Sequence, residues 1–524
     1  MRWEQAARIR HIAAPLPHRS TCRNGGTGVD PVSPPPLPRR HSWLLSRAEA
    51  CAPLPPGYRP RDVESEPLHR AVRHHRAAFT AAAARRGQTV PKLVERELDG
   101  FVGCGVLARG FARVRCGACG HELLVPFSCK RRGICPSCTA RRAEDTAAHL
   151  VDHVLPRVPY RQWVFTFPIP VRLALSRRPH LVTAALQACL RVLFSWQRRR
   201  LRRRGVEAPS CGAITFVQRF GSALQLNVHF HVLVPDGAFD DDGVFVADEA
   251  PNDDDVRRIM VRAARRVMSK LHRFFDDDDE RRREIDRLLQ SLDAASATPQ
   301  PVLFPRDARR APLSAFIEGF SLHAATRVMA SDRRGLWRLC AYGARGAVAS
   351  SRLSELPDGR FAYDMKRALP DGRRKLVMTG VELLEKLVPL IPPTYANLTR
   401  FHGVFAPTSR LRDKVVPRPA STVDGAEPPQ VSTTSPPPSS SAASSKSTSV
   451  PSPYRLDWAA LLKRVFGVDV LKCSRCQGKM RLIACIEEPD VAKKILEHLG
   501  LRAEPLPSLR AQAPPVTLEL FPAA

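Results

Sequence analysis

Two histidines placed two residues apart are the side chains in this sequence best suited to bind a catalytic metal ion. They lie in residues 217–237, where two runs rich in β-branched and aromatic residues stand on either side of Gly221 and Ser222, a pattern that predicts a β-hairpin. His229 and His231 belong to the second run. Since side chains alternate across a strand, both imidazoles should project from one face, opposite an apolar face. Two neutral imidazoles on a rigid strand supply two ligands of a divalent-metal site.

The residues alone leave the third ligand of such a site open. Gln218, on the partner strand of the hairpin, and Asp236, just beyond the histidine strand, are the two candidates. A structural role for the histidines is the alternative, because a single histidine in a strand is usually a core or surface residue.

Two Cys-x-x-Cys pairs form a second motif with metal-binding chemistry. Fifteen residues separate the pair Cys116 and Cys119 from the pair Cys135 and Cys138. This spacing is typical of a four-cysteine zinc ribbon, in which each pair turns tightly so that both thiolates face one ion. The spacing predicts a structural Zn²⁺ bound by these four residues, with Cys129, Cys104 or His121 as substitutes for one of them.

A third pair, Cys473 and Cys476, follows much later in the chain. A four-ligand site there would need Cys485, a histidine or another part of the chain, so it is only a candidate second metal site.

The chain is strongly basic, with 82 Lys and Arg against 51 Asp and Glu, a formal charge of +31. Such an excess favours a polyanionic partner, and DNA is the first candidate. Cations surround the cysteine pairs and are suited to contact phosphates. The predicted DNA-binding residues near the cysteines are Lys130, Arg131, Arg132, Arg141 and Arg142. The run 198–204 (RRRLRRR) ends a predicted helix, either as a solvated helix end or as a grip on the DNA backbone.

The composition also indicates where the protein works. No apolar run approaches the length that spans a bilayer, and the first residues lack the apolar core of a signal peptide. Cysteines in Cys-x-x-Cys pairs are typical of metal ligands in a reducing compartment. We therefore expect a cytoplasmic, nucleoid-associated protein without a membrane partner.

Composition and periodicity divide the chain into five parts. We expect a disordered Pro- and Arg-rich extension at 1–65, a helical and four-cysteine zinc-binding DNA-binding domain at 66–155, and a catalytic domain at 156–413. A Pro- and Ser-rich linker at 414–453 and a small Cys-x-x-Cys module at 454–524 follow. Helices mixed with antiparallel strand pairs indicate an α+β fold.

A tyrosine on a later predicted helix completes a possible reaction centre. Tyr342 lies in the segment 333–345, and its phenolate could attack a DNA phosphorus atom while a divalent metal polarises a phosphate oxygen. A free phenol has a pKa of about 10, so the attack needs nearby positive charge. Arg338, one turn earlier, and Arg345 are the candidates, and both are also predicted to contact DNA.

These motifs together resemble the HUH endonucleases, and among them the rolling-circle transposases of the insertion-sequence-91 type. The resemblance covers residues 66–413 and 455–501, and it includes the cysteine segment, the hairpin with His229-Phe230-His231 and the segment 339–353 (LCAYGARGAVASSRL). It implies an antiparallel sheet with helices on one side, the histidines on a central strand and the tyrosine on a neighbouring helix.

The resemblance also implies a reaction. The protein would nick one DNA strand at the end of the element, form a 5′-phosphotyrosine bond and transfer that strand to a target. His229 and His231 would bind Mg²⁺ or Mn²⁺, and Tyr342 would be the nucleophile. Founding members carry two tyrosines four residues apart, but Arg338 stands at the first of these positions here, as in a single-tyrosine subgroup. One tyrosine acting twice, or in each subunit of a homodimer, is then the expected mechanism.

Three other functions share some of these features. A relaxase or rolling-circle replication initiator would use the same chemistry. A zinc-ribbon DNA-binding protein that has lost catalysis would bind DNA without cutting it. A metallohydrolase also carries paired histidines on a strand, but its repeating βα units and later His and Asp ligands are not found in this sequence.

Overall fold

The structure is a computed structural model that describes residues 62–272, 312–366, 368, 371–417 and 469–507, together with the single residues 290, 459 and 463. The predicted N-terminal extension up to residue 61 and most of the Pro- and Ser-rich linker lie outside the described residues. So do most of residues 458–467 (WAALLKRVFG), which the sequence predicts as a helix. None of the helices in the described part of the chain has the length and apolar composition that crossing a bilayer requires.

A six-stranded antiparallel sheet forms the centre of the fold. Its strands are β3 (Tyr160–Thr166), β4 (Gly212–Phe220), β5 (Leu226–Pro235), β8 (Ser314–Ile317), β9 (Phe320–Val328) and β13 (Thr399–Gly403), in the spatial order β13-β4-β5-β3-β9-β8. Strands β4 and β5 are the predicted hairpin, joined across residues 221–225. The predicted histidine strand, β5, therefore lies inside the sheet between β4 and β3.

Helices cover both faces of this sheet, not one face as the resemblance implied. Helices α4 (Ile169–Arg177), α5 (Pro179–Arg203) and α6 (Asp253–Leu271) pack on the face that carries Phe230 and Val232. Helices α3 (Pro136–His153) and α7 (Arg333–Ala344) pack on the face that carries Phe216 and Leu233. Every residue of β4 is buried because both of its faces lie under helices, and this includes the polar residues Thr215, Gln218 and Arg219.

A smaller sheet joins the two ends of the described chain. Its strands are β1 (Phe111–Cys116), β2 (Glu122–Pro126) and β14 (Met480–Ile486), in the order β14-β1-β2. Strand β14 pairs with β1 in antiparallel register, with Cys116 opposite Met480. Helix α10 (Pro489–His498) packs beside this sheet through Ala492 and Leu496. The C-terminal segment predicted as a small module thus contributes a strand to the N-terminal sheet.

A third layer packs against the N-terminal helices. The strands β10 (Leu353–Glu355), β11 (Phe361–Asp364) and β12 (Lys375–Met378) form a meander, and α8 (Gly380–Leu387) follows it. A reciprocal capping box between Thr379 and Glu382 starts α8. These elements share a core with α1 (Pro67–Arg85) and α2 (Lys92–Val102).

Three short elements complete the described fold. Strands β6 (Gly237–Phe239) and β7 (Phe245–Ala247) pair beyond the end of the histidine strand, and α9 (Arg412–Val415) follows β13.

Candidate active site and cysteine centres

The two histidines of β5 face each other with their ring nitrogens in contact. The Nε2 atoms of His229 and His231 are 3.1 Å apart, and the side chains are 8% and 6% exposed. His229 Nδ1 donates to the carbonyl oxygen of Asn227 at 2.8 Å, which leaves its Nε2 as the atom with a free lone pair. Burial lowers the pKa of His229 to about 4 and that of His231 well below its usual value. Both imidazoles are therefore neutral near pH 7 and able to bind a cation.

The strand register places these histidines in two rows of side chains across the sheet. Gln218, Thr166 and Ser321 lie in the row of His229. Thr166 and Ser321 are joined by a short hydrogen bond between their hydroxyl groups. Neighbouring side chains in such a row lie about 5 Å apart. The row gives the sheet a polar strip beside His229 that the sequence alone could not show, because Thr166 and Ser321 come from distant strands.

Helix α7 brings Tyr342 to the histidines. The Tyr342 ring packs edge-on against the His231 ring, with 5.8 Å between the ring centroids. Arg345 donates from its guanidinium to the Tyr342 hydroxyl at 3.3 Å, and its Cζ lies 4.3 Å from the centroid of the tyrosine ring. Lys366 Nζ lies 5.6 Å from the same centroid. The tyrosine is thus next to two cations, of which Lys366 carried no signal in the sequence.

Two contacts hold the end of α7 against β4. The side-chain amide of Gln218 donates to the carbonyl oxygens of Tyr342 and Gly343, at 2.9 Å each, so it satisfies two groups that a helix end leaves unpaired. Gly343 packs so closely that a Cβ there would stand 2.4 Å from the Phe216 ring. The backbone on either side of the tyrosine is fixed to the sheet by these contacts.

The candidate third ligands have different outcomes. No His, Cys, Asp or Glu among the described residues joins His229 and His231 in a three-ligand group. Asp236 is the wrong candidate, because both of its oxygens accept hydrogen bonds from Arg161, at 2.9 and 3.0 Å, and one also accepts from Arg327 at 2.7 Å. Gln218 is next to His229 in register, but its amide nitrogen caps α7, which leaves only its oxygen for a cation.

Eight of the cysteines in the described part of the chain form two groups of four, and the members of each group differ from those of the predicted ribbon. The predicted pairs do not share a group. The first group contains Cys104, Cys129, Cys135 and Cys138, and the second contains Cys116, Cys119, Cys473 and Cys476. The prediction of one site from the first two pairs was wrong because strand pairing with β14 brings a third pair to the end of β1. Cys485 belongs to neither group and is exposed.

Sulfur distances in both groups fit a tetrahedral ion. The distances are 3.5 Å for Cys129 to Cys138 and for Cys135 to Cys104, and 3.7 Å for Cys104 to Cys138. Four sulfurs around Zn²⁺ at about 2.3 Å are about 3.8 Å apart. Hydrogen bonds from the other three cysteines and the nearby Arg141 lower the pKa of Cys138. The first group can therefore bind Zn²⁺ as a thiolate site.

The predicted DNA-binding residues near the cysteines have different surroundings. Lys130 and Arg142 are exposed, and Arg142 donates to the Lys130 carbonyl oxygen. Arg141 donates to the Cys138 sulfur at 3.9 Å. Arg132 donates to the carbonyl oxygens of Pro393 and Ala396, so it holds a loop in place.

The three remaining predicted DNA-binding cations also differ in their surroundings. Arg131 is half-buried against Gly100, Arg338 is exposed on α7, and Arg345 is committed to Tyr342.

The basic run at the end of α5 divides between two environments. Arg200 forms ion pairs with Asp248 and Asp255, and Arg204 with Asp248. Arg199 instead lies beside Arg203 and beside cations of α6. Burial, and then the charges of these neighbours, lower the pKa of Arg199. We call this surface between the two helices the α5–α6 stripe. Its members are Arg191, Arg199, Arg203, Arg262, Arg266 and Lys270.

Two family models match this chain. One, described as Putative transposase, matches residues 212–412, and the other, described as Transposase zinc-binding domain, of the insertion-sequence-91 type, matches residues 71–167. The chain belongs to the insertion-sequence-91 transposases. The first match contains the histidine pair and Tyr342, and the second contains the whole first cysteine group. No curated protein and no solved structure matches this transposase.

Proposed function

We propose that this transposase nicks and rejoins single-stranded DNA through a 5′-phosphotyrosine bond on Tyr342, in rolling-circle transposition. The observation that carries the proposal is the packing of Tyr342 against His231, at 5.8 Å between ring centroids, with Arg345 on the phenol oxygen. A neutral histidine pair, a tyrosine and a cation on one face of a sheet are the parts that this reaction needs.

The histidine pair fits a divalent cation. Adjacent ligands of an octahedral ion at about 2.1 Å stand about 3.0 Å apart, close to the 3.1 Å between the two Nε2 atoms. The lowered pKa values keep both rings unprotonated, as metal ligands must be. Bound Mg²⁺ or Mn²⁺ would offset charge on a phosphate oxygen during the reaction. Gln218 is the described residue best placed to add its amide oxygen.

The residues of the chain account for the bond exchange. The Tyr342 oxygen attacks the phosphorus, the bond from phosphorus to the 3′-oxygen breaks, and that oxygen leaves with a proton as the 3′-hydroxyl of the upstream strand. Arg345 holds the attacking oxygen by a hydrogen bond and stabilises negative charge on it. Attack of a 3′-hydroxyl on the phosphotyrosine reverses the exchange. Because one phosphodiester replaces another, rejoining needs no nucleotide cofactor.

Basic side chains on both faces of the sheet would hold the DNA strand. Lys366 lies beside the tyrosine ring, and Arg338 is exposed one turn before Tyr342 on the same helix. The α5–α6 stripe lies on the other face of the sheet, where α5 and α6 pack. Contacts of this kind with phosphates fix the position of a strand without reading its sequence. We infer that the stripe holds DNA outside the reaction centre.

The direct test uses single-stranded DNA from the flanks of the gene, labelled at its 3′ end, with purified protein and Mg²⁺ or Mn²⁺. We expect the label to migrate with the protein on a denaturing gel, and EDTA to abolish this adduct. Tyr342→Phe and His229→Ala should give no adduct. Tyr395→Phe, at a tyrosine that is 92% exposed, is the matched control and should react normally.

Three results would contradict the proposal. An adduct of unchanged yield with Tyr342→Phe would move the nucleophile to another residue. Metal-dependent cleavage without any covalent adduct would indicate hydrolysis. If neither the unmodified protein nor Tyr342→Phe forms an adduct, and both bind the DNA equally tightly, only the non-catalytic DNA-binding function remains.

A further inference from the structure

We propose that the second cysteine group binds its own Zn²⁺ ion, which clasps residues 469–507 to the N-terminal zinc-binding domain. Cys116 ends strand β1, Cys119 lies in the turn that follows it, and Cys473 and Cys476 precede β14. The sulfur contact between Cys119 and Cys473 joins residues that are 354 positions apart in the chain. The matched zinc-binding family ends at residue 167, so half of these ligands lie outside it.

The four sulfurs stand at distances that suit a tetrahedral ion. Cys116 and Cys476 are 3.5 Å apart, and Cys119 and Cys473 are 3.6 Å apart. A disulfide requires about 2.05 Å between sulfurs, so these contacts are not disulfides. Soft thiolates in a four-sulfur arrangement favour Zn²⁺ among the common divalent metals.

The two Cys-x-x-Cys turns have the same backbone conformation. In each, the residue after the second cysteine has a positive φ, 71° at Gly120 and 60° at Gln477, and its N–H donates to the carbonyl oxygen of the first cysteine. A positive φ at Gln477 is uncommon for a residue with a side chain, which indicates that the turn is constrained by its surroundings. Two turns of one conformation face each other across the group.

Backbone donors also prepare the sulfurs for a cation. The N–H groups of Cys119 and Ala118 donate to the Cys116 sulfur, and those of Cys476 and Arg475 donate to the Cys473 sulfur. Cys116 and Cys473 are buried, whereas Cys119 and Cys476 are exposed, so an ion can reach the group from solvent. Gly478 fits beside them, since a Cβ there would stand 3.2 Å from Cys476 Sγ and 3.3 Å from Cys116 Sγ.

The zinc content of the full-length protein tests the clasp directly. Protein purified under reducing conditions should contain two Zn²⁺ ions per chain by elemental analysis. The double variant Cys473→Ser and Cys476→Ser should contain one, and Cys485→Ser, an exposed cysteine of the same segment outside both groups, should keep two. The double variant should also unfold at a lower temperature than the control.

Spectroscopy separates ligand loss from general misfolding. Reconstitution with Co²⁺ should give sulfur-to-metal charge transfer bands of a tetrathiolate site, at half intensity in the double variant. The single variant Cys476→Ser, at an exposed position, gives the same comparison if the double variant does not fold. One zinc ion in the unmodified protein, or two in a folded variant lacking Cys473 and Cys476, would overturn the proposal. These measurements do not depend on nicking, so they stand apart from the test of Tyr342.

Discussion

Arg345 is the side chain that holds the phenol oxygen of Tyr342. It donates a hydrogen bond to that oxygen and also stacks against Phe220, with 5.2 Å from Cζ to the ring centroid. Burial lowers the pKa of Arg345, but its neighbours Tyr342 and Tyr363 act in the opposite direction. A charge held this firmly beside a nucleophile needs little rearrangement when charge develops during the reaction.

Replacing this arginine should slow the chemical step. We expect Arg345→Met to reduce the single-turnover rate of adduct formation by roughly 10²-fold, the usual loss for one preorganised donor. Arg338→Met is the matched control, because Arg338 is exposed one turn earlier on α7. It should change DNA binding more than the rate at saturating DNA. Equal rate losses in both variants would contradict a specific role for Arg345.

His402 provides a pH-dependent stability test away from the reaction centre. It is paired with Ala213 in β13, on the sheet face that packs against α5, and its Nε2 is buried without a partner among the described residues. Burial, with a smaller effect of Arg400, lowers the pKa of His402 to about 4 from 6.5. Below pH 6.5 the unfolded chain binds this proton and the folded chain does not.

The stability that the neutral ring provides is therefore complete above pH 6.5 and is lost as the pH falls toward 4. Relative to His402→Gln, the unmodified protein should lose roughly 1.4 kcal/mol of unfolding free energy per pH unit in this window. Urea unfolding of both proteins at several pH values measures the difference in unfolding free energy. The contributions of the other histidines and of the cysteine groups are the same in both proteins and cancel in this difference. A difference that does not change with pH would show that His402 has the same pKa in the folded and unfolded states.

Single residues divide clearly into those that the sequence could predict and those that it could not. His229, His231 and Tyr342 were predicted from residue type and spacing, and the structure brings their rings together. Asp236 was a wrong prediction because proximity in sequence hid its ion pair with Arg161. No sequence motif predicts that Lys366 lies beside Tyr342, because its position depends on how the meander β10–β12 packs.

At the scale of elements, the contact of α7 with β4 sets the position of Tyr342, the proposed nucleophile. Gly343 allows the last turn of the helix to lie directly on the Phe216 ring. Cys340, one turn earlier, is fully buried in the same contact. The helix therefore has little freedom to move away from the histidine strand without exposing apolar surface.

A methyl group at Gly343 should separate the helix from the sheet. We expect Gly343→Ala to lower the unfolding free energy by about 1–3 kcal/mol, the usual effect of overpacking. Adduct yield should fall by a larger factor than stability explains, because Tyr342 is the adjacent residue. Phe216→Leu in the same chain should restore part of the yield by making space, and a double-mutant cycle measures this coupling. Full activity of the single variant would show that the helix adjusts without moving Tyr342.

Elements were easier to predict than their arrangement. The hairpin β4–β5 and a helix that ends in the basic run 198–204 were predicted from local patterns, and the structure contains both. The order of the six strands depends on contacts between residues far apart in sequence, which no local pattern encodes. The resemblance predicted helices on one side only, but α3 and α7 cover the face opposite α4, α5 and α6.

For the whole molecule, the charge of +31 is distributed over several surfaces. Acidic neighbours neutralise part of the basic run in α5, as the ion pairs of Arg200 show. The cations of the α5–α6 stripe form no such ion pairs within the described residues. They repel one another instead. Uncompensated charge of one sign raises the local potential and attracts a polyanion.

Salt should weaken DNA binding in proportion to the number of phosphates contacted. The slope of log association constant against log salt is about −0.7 per contact for single strands. Replacing Arg199, Arg203, Arg262 and Arg266 by Gln should make the slope shallower by as much as about 3. Replacing Arg200 and Arg204, which are already paired with carboxylates, is the control and should change it less. An unchanged slope in the first variant would exclude the stripe from the DNA interface.

The pairing of β14 with β1 has a consequence for how the protein is made. The ribosome releases residues 111–116 long before it adds residues 480–486, which complete that edge of the sheet. At 5–20 residues per second, the wait is roughly 20–70 s. Throughout this interval a nascent chain exposes an open strand edge and two unsatisfied thiols. A chain that ends before residue 480 would keep both defects. We therefore expect proteases to recognise such a chain before it can act on DNA.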